Sequence, residues 1–380
     1  MKKWKKLLIV VQLLSLVLLS GCWSRRELEE RIAVISVGID AVKENGKKVY
    51  KVSIQIPIPV QIAGGGGGGG GGGDAVKVVS AQGETVAKAF SDIQKKLNQV
   101  LFMGHTRIIA ISEEVAEDGV LDIVDGFRRD PAIRRLLWLL IVEGKAEDLL
   151  NSKPKIEQIP TVYIMSLIQN GARTGAIPDV TLGDFFVSIS NKSLQPMANR
   201  MKLHEDDVYW SGLSLFDHGK MVGNLTDEES WILVQLRDEQ PGGHFQVFTG
   251  NEENKENIVV SPTQVETKTK LEVKDGKVKA HYHVYMQANI LEKNMPEHLD
   301  NVKTLAKLRK LAEKHLEHEA EQLINSLQTK QKVDVLRLGS KVKAFHYKEW
   351  QKMDWKQAFQ DAEITVSYEV QFRRTGMQLN

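Results

Sequence analysis

The first 22 residues constrain this chain more than any other stretch. Met1 to Lys6 carries four lysines, Leu7 to Leu19 is almost wholly apolar, and Leu19-Ser20-Gly21-Cys22 follows. A basic start, an apolar stretch and small residues before a cleavage point make a secretory signal peptide. A permanent membrane-spanning helix needs about 20 apolar residues, more than this stretch offers. The body that follows is therefore expected to fold after export.

Cysteine usage narrows the reading further. Cys22 is the only cysteine in the chain. It can form no internal disulfide, and as a free thiol in an exported protein it would be a reactive liability. Leu19-Ser20-Gly21-Cys22 resembles a bacterial lipobox, where the cysteine takes a diacylglyceryl thioether and becomes the mature N-terminus. Cys22 is thus the expected lipidation site, residues 1–21 the signal peptide, and residues 22–31 a lipidated tether. About ten extended residues reach at most ~35 Å, so the first domain stays near the bilayer.

Residues 22 to 380 are too many for one small core and suit two or three domains. The formal charge is +2 for the whole chain and −2 once the four signal lysines are removed. There is no global basic field, which argues against nucleic acid as a partner. No later segment is long and apolar enough to span a membrane.

Ile32 to Asp40 reads as a first strand. Tyr50 to Ile58 alternates Val52, Ile54, Ile56 and Ile58 against Lys51, Ser53 and Gln55, the pattern of a half-buried strand. Gly64 to Gly73 is an unbroken glycine run and is expected to be a flexible loop. It lacks the Lys-Ser/Thr ending of a phosphate-binding loop, so nucleotide binding is excluded. Val76 to Ser80 is a strand, and Val86, Ala89, Phe90, Ile93 and Leu97 fall at helical spacing within Glu84 to Leu97. Gly104 to Ile111 reads as turn then strand, and Val120 to Arg129 as a helix ended by Asp130-Pro131. The apolar run Leu136 to Val142 predicts a buried central strand. This alternation predicts a first α/β domain over residues 32–148.

A middle domain is expected over residues 149–250. Its signals are helices at Ile159–Gln169 and Leu182–Ser190, a hairpin from Tyr209 to Leu225, and a capping box at Thr226–Glu229 that opens a helix through Leu236. A C-terminal α+β domain is expected over residues 251–380. Thr263–Val273 and Lys277–Ala288 flank the turn residues Asp275-Gly276, and Glu297 to Leu327 carries a long apolar stripe. Ile364 to Phe372 is the last strand. The fold class is α+β, three domains, each a mixed or antiparallel sheet packed with helices.

No catalytic constellation emerges. There is no Gly-x-Ser-x-Gly elbow, cysteine nucleophile, zinc signature or nucleotide fingerprint. His105 has no second ligand beside it and is expected to make a structural hydrogen bond at its strand entrance. His218 is a turn residue. His281 and His283 share a strand face, and His315 and His318 sit near Glu319 without completing a metal set. Asp227, Glu228 and Glu229 are explained by helix capping, and Trp350 and Trp355 by core packing. No cofactor is implied.

Gly21-Cys22-Trp23-Ser24-Arg25-Arg26-Glu27-Leu28-Glu29, followed by Val34 to Asp40, resembles the start of the Ger(x)C family, the lipoprotein C subunits of spore germinant receptors. Ser24 stands where that family usually has an acidic residue. Gly104-His105, Arg129-Asp130, Gly212 to Glu229 and Gln331 to Gly376 extend the resemblance in order. The resemblance implies membrane-embedded A and B subunits as partners and residence on the outer face of the spore inner membrane. It implies a non-enzymatic role in assembly and signal coupling. The alternative is a lipid-anchored solute-binding protein with a nutrient in an interdomain cleft.

Overall fold

The structure is a computed structural model that describes Trp4 and residues 30–44, 46–58, 74–250, 256–296 and 298–374. Cys22 and the glycine run 64–73 lie outside the described residues.

From the N-terminus come β1 (Arg31–Ala33), β2 (Ser36–Glu44), β3 (Lys47–Pro57), β4 (Val76–Gly83), α1 (Val86–Gln94) and β5 (Val100–Phe102). Next are β6 (Ile108–Ser112), α2 (Glu113–Asp118), α3 (Leu121–Arg129) and β7 (Trp138–Glu143). The first predicted strand is divided at Val34 and Ile35. There the Val34 N–H donates to the Phe102 carbonyl and the Ile35 carbonyl accepts from the Arg107 N–H. That break lets β1 leave the main sheet and pair in parallel with β5.

The chain then runs through α4 (Ala146–Asn151), α5 (Pro160–Thr174) and α6 (Leu182–Ile189) into β8 (Met197–His204), β9 (Asp207–Asp217) and β10 (Lys220–Leu225). All these strands except β1 and β5 form one eight-stranded sheet in the order β10-β9-β8-β7-β6-β2-β3-β4. β2, β6, β7 and β8 are mutually parallel at its centre, and antiparallel hairpins extend both flanks. The expected division at residue 148 therefore does not separate two sheets: β7 before it pairs with β8 after it. The physical reason is the crossover through α4, α5 and α6, which returns the chain parallel to β7, with α4 and α5 on one sheet face and α6 on the other.

The period-2 alternation of the central strands builds two cores. Ile109, Ile111, Leu139 and Ile141 point to one face and meet Ile93, Val115, Phe127 and Phe185. Ile108, Ala110, Leu140 and Val142 point to the other and meet Leu149, Leu150, Ile164 and Ile168. A fully buried Leu or Ile side chain contributes about 1.5–3 kcal/mol, so these strands anchor the sheet.

The helix α7 (Asp227–Asp238) opens with the predicted capping box: Thr226 Oγ1 accepts from the Glu229 N–H, and the Glu229 carboxylate accepts from the Thr226 N–H. Beyond it lie β11 (Phe245–Phe248), β12 (Asn257–Lys274) and β13 (Lys277–Asn294), then α8 (Val302–Ser326), α9 (Leu338–Phe345), α10 (Tyr347–Trp350), α11 (Trp355–Gln360) and β14 (Glu363–Arg374). β11 to β14 form a four-stranded sheet in chain order. Asp275 and Gly276 both have positive φ, 51° and 76°, which matches the twist of the β12–β13 hairpin. β14 lies parallel to β13 because α8 to α11 carry the chain back to the same end of the sheet.

The third core is shared between the two sheets. Ile232, Leu233 and Leu236 of α7 pack with Met197, Leu213, Leu215 and Leu225 of the large sheet, with Tyr282, Val284 and Val370 of the small one, and with Leu316 of α8. Among the described residues, the eight-stranded sheet, the four-stranded sheet and the three cores all lie between residues 32 and 374.

Candidate functional site

The expected site residues are spread, not gathered. Cys22 lies outside the described residues. The His105 ring packs edge-on against Phe102 at 5.5 Å. The hydrogen bond expected of it is made by its neighbour: Thr106 Oγ1 donates to the Val34 carbonyl at 3.1 Å. His218 sits in the β9–β10 turn with φ 57°, its Nδ1 2.9 Å from Asp217. His281 and His283 contact the Thr365 and Ser367 hydroxyls at 2.8 and 3.0 Å, across to β14. His318 pairs with Gln322 on the α8 surface. Among the described residues no group of three His, Cys, Asp or Glu is placed to hold a metal ion.

A perturbed carboxylate is a candidate functional group, and Asp334 is one. It is 3% exposed. Its Oδ1 accepts from the Leu338 N–H at 3.1 Å, and its Oδ2 from the Gly339 N–H at 2.6 Å and Trp355 Nε1 at 3.1 Å. Burial pushes its pKa up to about 6, against those three donors. The carboxylate caps the first turn of α9 and fixes Trp355, so its role is structural.

That shift has a sign. A pKa raised from 3.8 to about 6 means the folded chain holds this proton more tightly than the unfolded chain. The stabilisation is complete below about pH 4 and is lost as pH rises through about 6, a change of about 3 kcal/mol. Asp334→Asn should remove it. Urea titrations of wild type and variant at about pH 4 and about pH 7 check this, and a stability difference that stays constant between them would contradict it.

Two of the openings among the described residues are roomy enough for a ligand or a partner segment. The first is a groove of about 750 Å³ between α1 and α3. Val86, Phe90, Leu101, Met103 and Phe127 make it apolar, and Glu84, Asp122 and Asp130 stand on its rim. Phe90 and Phe127 meet edge to face at 6.2 Å. The second is a cleft of about 1020 Å³ where the 190–195 and 217–218 turns meet α9, α10 and α11. Lys192, Lys343, Lys356, His218, Tyr347 and Trp350 line it. Trp355 is buried behind Trp350 at 5.3 Å, as core packing requires.

The sequence matches two linked family models. Residues 24–203 match the one described as "Spore germination protein N-terminal domain", and residues 211–376 the one described as "Spore germination B3/ GerAC like, C-terminal". The chain belongs to the GerAC-like family of spore germination proteins. This GerAC-like chain is 26% identical over 405 aligned positions to "Spore germination protein KC" of Bacillus subtilis (strain 168), covering 99% of this chain and 97% of that protein. It is 23% identical to "Spore germination protein B3" of the same organism, with 96% of each chain covered. The crystal structure of the GerBC protein superposes with a TM-score of 0.59 at 19% identity, covering 89% of this chain and 98% of that one. That likeness shows the α+β fold shared by the two chains.

The family boundary between residues 203 and 211 falls in the β8–β9 hairpin. In this GerAC-like chain it runs through the middle of a sheet. Among the described residues no helix is long and apolar enough to cross a membrane.

Proposed function

We propose that this chain is the lipid-anchored C subunit of a nutrient germinant receptor, held by a diacylglyceryl thioether on Cys22 to the outer face of the spore inner membrane. It assembles with membrane-embedded A and B subunits and couples their response without catalysing a reaction. The observation that carries this reading is the family match, which begins at residue 24, two residues after Cys22, and covers residues 24–203 and 211–376. The apolar groove between α1 and α3 supports assembly, since an open apolar groove suits an amphipathic segment of a partner.

Two acyl chains anchor a protein stably, whereas one holds it only marginally. Cys22→Ala should therefore abolish lipid labelling, release the body from membranes, and restore little nutrient-triggered germination to spores lacking the subunit. Co-purification of the lipidated protein with A and B subunits is the direct test. Lipid labelling that persists in Cys22→Ala would end the anchor assignment.

One observation favours the solute-binding reading: the larger cleft mixes lysines with Tyr347 and Trp350 at a volume suited to a small ligand. Equal germination with anchored and unanchored forms at matched abundance would favour that reading.

A further inference from the structure

The parallel strands give the large sheet two distinct ends. Ser36, Ile108 and Trp138 lie level at the starts of β2, β6 and β7, and the β8–β9 register puts Met197 opposite Leu215 at the same end. The tether joins at this end, since β1 leads directly into β2. So do Arg107 before β6, Arg134 and Arg135 before β7, and Lys192 before β8, all exposed. Lys343 reaches Asn191 and Lys356 pairs with Asp217, which brings the exposed Lys348 of α10, and Lys352 just beyond it, to the same end.

Arg107, Arg134, Arg135, Lys192, Lys348 and Lys352 make no ion pair among the described residues. Large apolar side chains stand among them: Leu136 is 81% exposed, Phe345 78% and Tyr347 54%. Of the carboxylates nearby, Asp130, Asp184 and Asp354 each accept a backbone N–H, Asp217 pairs with Lys356, and Glu30 and Glu349 are exposed. The opposite end mixes both signs, with Lys43, Glu44 and Lys47 at the β2–β3 turn and Glu205, Asp206 and Asp207 at the β8–β9 turn.

We propose that the tether end is a membrane-contact face that recognises anionic phospholipid headgroups. The unpaired arginines and lysines meet the phosphates, and Leu136, Phe345 and Tyr347 enter the interface. The reach of the anchor fits. Residues 22–29 extend at most ~28 Å, while β2 and β9 stand four strand spacings apart, ~19 Å. The orientation rests on the anchored reading above, but headgroup recognition does not need the lipid.

The test uses the unlipidated body from Trp23 and two kinds of vesicle, phosphatidylcholine alone and phosphatidylcholine with phosphatidylglycerol. Partitioning into the anionic vesicles is expected, weakened by added salt, with little into the neutral ones. Each cation near an anionic surface contributes a factor of about five, so Arg134→Gln with Arg135→Gln should lower partitioning roughly 25-fold. Lys348→Gln with Lys352→Gln should act similarly. Lys43→Gln with Lys47→Gln, at the opposite end, should change little, and melting temperatures confirm that every variant is folded. Equal partitioning into both vesicle types, or an equal loss from the Lys43 and Lys47 pair, would overturn the proposal. Absence of anionic binding would instead leave this face to an acidic protein surface. Lipid labelling of Cys22 is scored separately, so the anchor and the face fail independently.

Discussion

Asp334→Ala is expected to destabilise the body by roughly 3–5 kcal/mol. Three buried donors would lose their acceptor at once: the Leu338 and Gly339 amides and the Trp355 indole N–H. An orphaned buried donor costs about 1–3 kcal/mol, and loss of the carboxylate's own desolvation cost offsets part of the sum. The first turn of α9 has no other side-chain cap, because Arg337 at its start is in the left-handed region at φ 59°. Urea unfolding should show the loss. Trp355 fluorescence should shift already in the native baseline, since its indole partner has gone. A variant with wild-type stability and unchanged emission would remove Asp334 from this role.

Gly212→Ala is expected to cost a similar amount. Two residues of β9, Ser211 and Gly212, face the single Arg200 of β8 at a bulge, since Asn199 pairs with Leu213 and Met201 with Trp210. Gly212 has φ +99°, which L side chains rarely adopt. An added Cβ would lie 2.0 Å from the Leu225 carbonyl oxygen and 2.8 Å from the Thr226 carbonyl carbon. Both are backbone atoms at the junction of β10 and α7, so neither can swing aside as a side-chain tip would. Strain and overpacking together give roughly 3–5 kcal/mol, a large share of a typical domain's 5–15 kcal/mol. Thermal unfolding of the purified variant checks this, and a melting temperature within a degree or two of wild type would contradict it.

How far the sequence reveals these features depends on how local their causes are. The β7 core strand, the Thr226 capping box and the Asp275-Gly276 hairpin are set by neighbours in the chain, and each forms where the residues predict. β8 escapes because Met-Ala-Asn-Arg-Met-Lys-Leu-His lacks β-branched residues, and its pairing with β7 supplies what its own composition does not. The helix α4 escapes for a different reason. Its start at Lys145 has no side-chain cap; the acceptor is Asp40, more than a hundred residues earlier, which takes the Ala146 and Glu147 N–H groups at 2.7 and 2.9 Å. Burial pushes the Asp40 carboxyl up against those two bonds. The basic face is hidden in the same way: its cations come from six separate positions between Arg107 and Lys352, and the net charge averages them away. The resemblance of Leu19-Ser20-Gly21-Cys22 to a lipobox needs no fold to be read, because it is a local pattern.

The pairing that runs from β7 through β8 to β9 bears on inheritance. A recombination event that swapped the half up to residue 203 for that of a distant relative would strip β8 of the partner it was selected beside. It would also set unmatched Met197 and Ala198 against a foreign α7 and β9. Chimeras cut between residues 203 and 211 should seldom yield soluble protein, and lineages of this family should exchange the two halves together rather than as separate modules.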